Sequence, residues 1–148
     1  MTDSENTRDS MGTGSFRSIP ESECRELLSV GVIGRIAFNS ATGIQLLPLN
    51  YVYLNGSVYF RVDASSVLGE LADGADDVAF EVDYLESLVK QAWSVLAKGH
   101  IGAVTDSAEL ESLLGERRLE PWALGDRELY LRLEPASLTG RKVKRNAR

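Results

Sequence analysis

The chain has 148 residues, 43% hydrophobic and 26% charged, with a formal net charge of −6. This length fits one domain with its own core, and the negative charge argues against a general nucleic-acid-binding face, which needs cations. No apolar run has transmembrane length, and the polar N-terminus lacks a signal-peptide core. With one Cys and one His, an internal disulfide is excluded and a zinc site is disfavoured. We therefore expect a cytoplasmic protein without nucleic-acid or membrane partners.

The N-terminal region combines a polar tail with a short helix. Residues 1–15 are rich in Gly, Ser and Thr, which predicts a disordered tail. A helix is expected between Pro20 and Gly31, residues that favour a helix start and a helix end. Cys24 lies on the apolar side of that helix with no paired His in view. It is therefore predicted to be a small buried hydrophobic residue rather than a nucleophile.

The strongest local signal is a hairpin from Gln45 to Asp63, preceded by a predicted strand over residues 32–39. Its two strands are joined by Asn55-Gly56, the pair that a two-residue type I′ turn favours. This turn fixes the register and would set Asn50 opposite Arg61, a polar pair suited to an anionic or heteroaromatic ligand. The opposite face is apolar and predicted to enter the core: Leu49, Tyr51, Tyr53, Val58, Phe60 and Val62.

A candidate anion site follows the hairpin. The polar residues 63–66 (DASS) are expected to cap a short helix, residues 67–72, that stops at Gly74. Free backbone N–H groups, two serine hydroxyls and the Arg61 guanidinium would together suit a phosphate. A solvated helix cap beside a surface arginine explains the same residues, and the pattern alone leaves both interpretations open.

Two alternating segments in the middle of the chain predict strands, over residues 78–84 and 92–105. In the second segment Gly99 and Gly102 indicate a bulge or bend. His100 lies on the polar face of that strand. It could act as a general acid or base, but without a partner carboxylate in view it is predicted to be a strand-surface residue.

The C-terminal third predicts one helix and one strand. The helix covers residues 107–114 after a capping Asp106, and the strand covers residues 128–133. Between them Trp122 lies in an irregular stretch, where a tryptophan covers either a core or a flat ligand. Residues 136–143 are interpreted as a tail segment, followed by a basic, frayed end.

The fold class that these elements predict is mainly β. About six strands with two or three short helices, and no regular βαβ alternation, favour a six-stranded antiparallel barrel with appended helices. The absence of GxGxxG and P-loop motifs disfavours nucleotide-binding α/β folds. We expect one domain over residues 16–143, between the disordered tail 1–15 and a basic C-terminal tail, 144–148.

Several segments together resemble a known family. ECRELLSVGVIGRIAF, LPLNYVYLNGSVYFRVD, VAFEVD, AWSVLAKGHI, LEPWALGDRELYLRLEP and LTGRKV are similar, in order and spacing, to the pyridoxamine 5′-phosphate oxidase-like proteins. The likeness is greatest to the small bacterial FMN-binding split-barrel branch and spans roughly residues 19–143. It implies a six-stranded split barrel and a homodimer with an FMN site in each groove between subunits.

The resemblance also implies roles for individual residues. Asn50 and Tyr51 would lie along the isoalloxazine, and Trp93 and Ser94 would approach the flavin edge from the neighbouring strand. The remaining implied contacts are Arg61, Ser65, Ser66 and Val67 at the ribityl phosphate, and Trp122 and Arg127 closing the pocket from the second subunit.

One position departs from the family pattern. Relatives commonly have a basic phosphate ligand where this chain has Val67, and Lys98 is a candidate substitute. Loss of one charged hydrogen bond costs about 1.5–3 kcal/mol, or about ten- to a hundredfold in affinity.

The resemblance implies an FMN-dependent oxidoreductase acting on a small aromatic or heterocyclic substrate. Pyridoxamine phosphate oxidation itself is disfavoured, because the longer C-terminal segment of the authentic oxidase has no counterpart here. The alternative is a non-catalytic binding protein for a flavin, a deazaflavin (F420) or haem, with His100 as the one imidazole available to haem. A dimeric scaffold with an empty groove is a third interpretation.

Overall fold

The computed structural model describes residues 14–119 and 128–145. None of the helices in these ranges is long and apolar enough to span a membrane. In chain order the elements are β1 (Gly14–Ile19), α1 (Glu21–Val30), β2 (Ile33–Ser40), β3 (Gly43–Asn50), β4 (Val52–Leu54), β5 (Ser57–Asp63), a 3₁₀ helix (Val67–Asp73), β6 (Ala75–Glu86), β7 (Gln91–Ala103), α2 (Ser107–Leu114), a short 3₁₀ turn (Arg117–Leu119) and β8 (Glu128–Arg145).

Strand β8 organises the sheet. The strand order is β3-β2-β6-β7-β8-β5-β4, and all pairings are antiparallel. Along one edge β8 pairs with β7, and along its other edge it pairs first with β5 and then with β1. One long strand thus serves both parts of a curled, split barrel, and the predicted mainly-β fold class is confirmed. The described ranges hold eight strands because β1 precedes α1 and the first hairpin strand is divided at Tyr51.

The hairpin prediction holds near the turn and fails beyond it. Asn55 and Gly56 have the positive φ angles of the predicted turn, 51° and 84°. Leu54 faces Ser57 and Val52 faces Tyr59, as expected. Further along the strands, however, the expected pairs are wrong. Instead of facing each other, Asn50 pairs with Ile33 on β2, and Arg61 pairs with Tyr130 on β8.

Tyr51 explains this break. Its side chain is fully buried, and its hydroxyl donates a hydrogen bond of 2.6 Å to the carbonyl of Leu28 in α1. Its ring also meets Phe80 edge-on at 4.9 Å between centroids. Its backbone N–H bonds to Val32, which turns the preceding strand toward β2. Burial of one large aromatic residue thereby outweighs the local register of the hairpin.

The main core lies between the concave face of the sheet and two covering helices, α1 and the 3₁₀ helix. Cys24 is completely buried there, as predicted. The apolar face predicted for the hairpin also enters this core, with Tyr51, Val58 and Phe60 inaccessible to solvent.

A second, smaller cluster covers part of the outer face of β5 and β8, where α2 packs. It consists of Val52, Tyr59, Val104, Leu113, Leu119 and Tyr130. The Asp106 carboxylate accepts from the N–H of Glu109 at 2.9 Å, which confirms the predicted helix cap. Glu109 in turn accepts from the Tyr59 hydroxyl at 2.5 Å and from Arg132 at 3.0 Å, so one hydrogen bond and one ion pair hold α2 on the sheet.

The last described segment of the chain is a strand, and the predicted tail over residues 136–143 is wrong. β8 continues to Arg145 because its second half pairs with β7 on one side and β1 on the other. The bulge predicted near Gly99 is confirmed by a register shift between Lys98 and Gly99. A Cβ atom on Gly99 would collide with the backbone of Glu134, so the close approach of β8 requires glycine there.

Candidate functional site

Arg61 provides the clearest unfilled polar position in the described ranges. It lies on the outer face of β5, with its guanidinium 5.8 Å from the centre of the Tyr130 ring. Its Nη2 donates to Glu128, whereas its Nε is buried and has no hydrogen-bond partner among the described residues. Buried donors are nearly always paired in folded proteins, and an unpaired one calls for a specific explanation. A bound anion would satisfy it.

The turn after β5 uses most of its polar groups internally. The Asp63 carboxylate accepts from the N–H and the hydroxyl of Ser65, at 2.9 and 2.8 Å. The Ser66 hydroxyl donates to the Asp63 carbonyl at 2.6 Å. Both serine hydroxyls therefore donate within the turn and stabilise it. The N–H groups of Val67 and Leu68 remain, because the first turn of a helix leaves its donors without intrahelical acceptors.

No second cation joins Arg61 within the described part of one chain. The side chain of Val67 is half-buried and packs against the main core. Lys98 lies on β7, facing Ser137 on β8, and β8 separates β7 from β5. The arrangement fits one anionic group, such as a flavin phosphate, held by Arg61 and by backbone N–H groups.

The residues expected beside the ring are arranged differently from the prediction. Asn50 is half-buried at the end of β3, which is not a hydrogen-bonded neighbour of β5. Tyr51 directs its side chain into the core, and burial raises its pKa to about 12. Its side chain is therefore not available to a ligand on the outer face.

Trp93 and Ser94 lie far from Arg61 in the same chain. Ser94 pairs with Arg141 on β8, whereas Arg61 pairs with Tyr130. At about 3.3 Å per residue, these two β8 positions are separated by roughly 35 Å of strand. Successive strand residues face opposite sides, so Trp93 points inward and Ser94 outward. A cavity of about 370 Å³ adjoins both residues and is lined by Asp83, Tyr84, Leu85, Ala92, Trp93, Ser94, Arg141 and Val143.

Trp122 and Arg127, the remaining predicted site residues, lie outside the described residues.

The structure adds a histidine–aspartate pair that no sequence pattern indicates. His100 Nδ1 lies 2.8 Å from an oxygen of Asp76, so the expectation that His100 lacks a carboxylate partner is wrong. The His100 side chain is 55% exposed, which confirms its predicted place on the strand surface. A register shift between Ala75 and Val78 on β6 brings Asp76 into reach. Sequence spacing did not indicate this contact, because it depends on that local irregularity.

A second charged group lies on the outer face of β2 and β6. Arg35 approaches Asp83 at 3.2 Å and Glu81 at 3.7 Å. Burial, followed by the neighbouring Asp83, raises the pKa of Glu81, and one Glu81 oxygen has no hydrogen-bond partner within the described ranges. The alternation VAFEVD already assigns both acids to one face. No group of three or more potential metal ligands occurs among the described residues.

Comparison with known proteins agrees with this architecture. Residues 20–142 match the pyridoxamine 5′-phosphate oxidase family. The chain belongs to this family. It is 27% identical over 152 residues to the uncharacterized protein Rv0080 of Mycobacterium tuberculosis, an alignment that spans 93% of this chain and 99% of that protein.

Two solved structures are also similar to this chain. The FAD binding protein from Mycobacterium smegmatis has a TM-score of 0.71 and 29% identity, over 86% of this chain and 97% of that chain. The FAD and heme binding protein from the same organism has a TM-score of 0.62 and 17% identity, over 92% of this chain and 74% of that one. At its lower identity, the second likeness concerns the fold alone.

Proposed function

We propose that this family member binds FMN at Arg61 and acts as a flavin-dependent oxidoreductase on a small aromatic or heterocyclic substrate. The observation that carries the proposal is the buried Nε of Arg61, for which residues 14–119 and 128–145 supply no hydrogen-bond partner. Membership of the family and the 29% identity to an FAD binding protein support a flavin as the ligand. A deazaflavin such as F420 carries a phosphate in its side chain and would use the same contact.

The roles of the chain's own residues follow from their positions. Arg61 and the N–H groups of Val67 and Leu68 would hold and orient the phosphate. A flavin, when bound, supplies hydride transfer, so the protein needs no acid–base pair of its own for that chemistry. Its contribution is binding, orientation and the exclusion of water.

A complete site would require two copies of the chain. Arg61 and Ser94 lie near opposite ends of β8. In a two-fold dimer, the same surface of each copy meets that of the other. Such a dimer would bring the Arg61 region of one copy to the Ser94 region of the second, and so form two equivalent grooves. Trp122 and Arg127 of the second copy are proposed to close each groove.

Absorbance and FMN titration test the binding step. The purified protein is expected to be yellow or to take up added FMN. Arg61→Ala should weaken FMN binding about ten- to a hundredfold, because a charged hydrogen bond is lost, and Arg61→Lys should recover part of the affinity. Arg35→Ala is the matched control, since it removes another outer-face arginine. A colourless protein that also fails to bind FMN or F420 contradicts the proposal.

Turnover is tested separately from binding. The flavin-loaded protein should be reduced by NADH, NADPH or dithionite and should pass electrons to a nitro-compound, a quinone or oxygen. Bound flavin that no reductant reduces would support the non-catalytic binding role instead.

Haem binding is a second candidate, and the His100–Asp76 pair favours it. Metal-ligating histidines usually donate their second N–H to a carboxylate, which fixes the ring and raises its basicity. With Nδ1 bonded to Asp76, Nε2 is the atom available to iron. A Soret band on haem addition, lost in His100→Ala and shifted in Asp76→Asn, is expected if this role is correct. An unchanged Soret band in His100→Ala would eliminate His100 as the axial ligand.

A further inference from the structure

Four strands align a row of aromatic and basic side chains at the end of the sheet farthest from Arg61. Tyr84 on β6 pairs with Trp93 on β7, Trp93 with Lys142 on β8, and Lys142 with Arg17 on β1. Directly paired strand residues project on the same face. We call these four residues the basic aromatic row. It lies on the concave face, one step beyond the Val82–Val95 pair of the main core.

The two rings of the row form a ready stacking surface. Tyr84 and Trp93 are nearly parallel, at 28°, with centroids 6.3 Å apart. Tyr84 is 53% exposed although it is a large aromatic residue. Its hydroxyl donates to Glu86 at 2.9 Å, which holds the ring in place. Flat heterocycles stack on such rings with little dependence on their identity.

The cations of the row are only partly neutralised. Lys142 bonds to Glu23 of α1, and this bond is the main reason that the pKa of Glu23 is lowered. Arg17 and Lys144, the next residue along the same face of β8, form no ion pair with any carboxylate in the described ranges. Two cations without a direct ion pair in the described ranges therefore lie beside the rings, in a protein whose net charge is −6, although the charge of Arg17 also helps to lower the pKa of Glu23.

A cavity of about 300 Å³ adjoins the row, lined by Arg17, Gln91, Ala92, Trp93, Lys142, Val143 and Lys144. This volume is at the lower end of the range for small-molecule sites, about 300–1,000 Å³. It therefore suits a mononucleotide better than a dinucleotide. Gln91 adds an amide, which both donates and accepts hydrogen bonds, to the cations and the aromatic surface.

From these observations we propose that the basic aromatic row, with Lys144, binds a purine mononucleotide. The base stacks on Trp93, the ring that lines this cavity, while Tyr84 supports Trp93 from the neighbouring strand, and the phosphate meets Arg17 and Lys144. This site is separate from the Arg61 region, since the two lie at opposite ends of β8 and on opposite faces of the sheet. In this proposal Trp93 contacts a ligand on the concave face of the sheet, where its side chain lies. Ser94 instead faces the groove on the outer face.

Tryptophan fluorescence tests the proposal directly. The chain has two tryptophans, so Trp122→Phe leaves Trp93 as the reporter. Titration of this variant with AMP is expected to quench Trp93 saturably. Adding Arg17→Ala and Lys144→Ala together should weaken AMP binding about ten- to a hundredfold, because charged hydrogen bonds are lost. Arg25→Ala, which removes a surface arginine paired with Glu21 on α1, is the matched control and should change nothing.

The same titration separates this site from the flavin site. Arg61→Ala should leave AMP affinity unchanged, and AMP should not displace FMN. Loss of AMP binding in Arg61→Ala would assign AMP to the flavin site and overturn the proposal. Absence of saturation at millimolar AMP would also overturn it, as would equal affinity in the Arg17→Ala/Lys144→Ala variant. Inorganic phosphate binding as tightly as AMP would refute the stacking role of the rings.

Discussion

Beside each end of strand β8 lies a cation bonded to a glutamate. The two ends differ in which positively charged groups have no such bond. At the first end Glu128 bonds to Arg61, and one buried guanidinium N–H has no partner in the part of the chain that the structure describes. At the second end Glu23 bonds to Lys142, and whole exposed cations remain beside two rings. The first end offers one donor in a fixed position. The second offers a broader positive field and a stacking surface. Internal pairing of charges thus decides which kind of ligand each end suits.

The largest expected effect comes from breaking the turn at the first end. A Cβ atom at Gly69 would collide with the backbone carbonyl of Ala64, which cannot move without disturbing the turn. Gly69→Ala should therefore lower the free energy of unfolding by about 1–3 kcal/mol and abolish FMN binding at Arg61. Urea unfolding and FMN titration measure the two effects.

Gly140→Ala is the matched control at the second end. Its Cβ atom would meet side-chain atoms of Ile19 and Cys24, at 2.7 and 2.8 Å, and such atoms can shift. Gly140→Ala should lower the free energy of unfolding less than Gly69→Ala does, and it should leave FMN binding unchanged. Equal losses for both variants would contradict the assignment of the Gly69 turn to the anion site.

Tyr51→Phe is expected to have the next largest effect on stability. It should change ligand binding at neither end of β8. It leaves the Leu28 carbonyl without its buried donor, which costs about 1–2 kcal/mol. The pKa of folded Tyr51 is raised from 10 to about 12, so the folded state holds this proton more tightly than the unfolded state. Wild-type stability should therefore fall as pH rises through 10 toward 12, and Tyr51→Phe should show a smaller fall. Unfolding free energies measured between pH 8 and about 12 check this, with FMN and AMP affinities unchanged at neutral pH.

Glu128→Gln removes the carboxylate that competes with the ligand for Arg61 at the first end of β8. Without that carboxylate, the whole Arg61 guanidinium is available to an anion. We expect FMN to bind up to about fivefold more tightly, since partly exposed ion pairs are worth about 0.2–1 kcal/mol. Calorimetric titration measures the change. Weaker binding in Glu128→Gln would mean that Glu128 is needed to orient Arg61.

Glu23→Gln is the equivalent change at the second end and has the smallest expected effect. The pKa of folded Glu23 is lowered from 4.5, mainly by its bond to Lys142. Its stabilising contribution is therefore complete above about pH 5 and is lost as pH falls through the lowered pKa. The stability difference between wild type and Glu23→Gln should vanish in acid. The same variant frees Lys142 and should tighten AMP binding slightly at low salt, while FMN affinity remains unchanged.

Local patterns predicted most of the fold because they report local physical preferences. The Asn55-Gly56 turn, the Asp106 cap and the burial of Val58 and Phe60 all follow from backbone geometry and alternation, and all are confirmed. The errors are long-range. The hairpin register fails because Tyr51 finds its buried position against α1, and the C-terminal segment is a strand because β1 and β7 flank it. Neither partner could be identified from the segment itself.

The same distinction between local and long-range information holds for the candidate site. The sequence by itself determined that Arg61 lies close to a polar turn followed by a short helix, and that the chain resembles a flavin-binding family. The side-chain cap predicted for that helix is wrong, because the Ser66 hydroxyl bonds back to Asp63 and not to the helix. Only the tertiary structure decided that Asp63 uses the donors of Ser65, that Val67 faces the core, and that Trp93 lies in a row with Lys142 and Arg17. The physical reason is that a residue's type and neighbours set its local conformation. Which polar groups remain unpaired depends instead on strands that are distant in the chain and adjacent in the sheet.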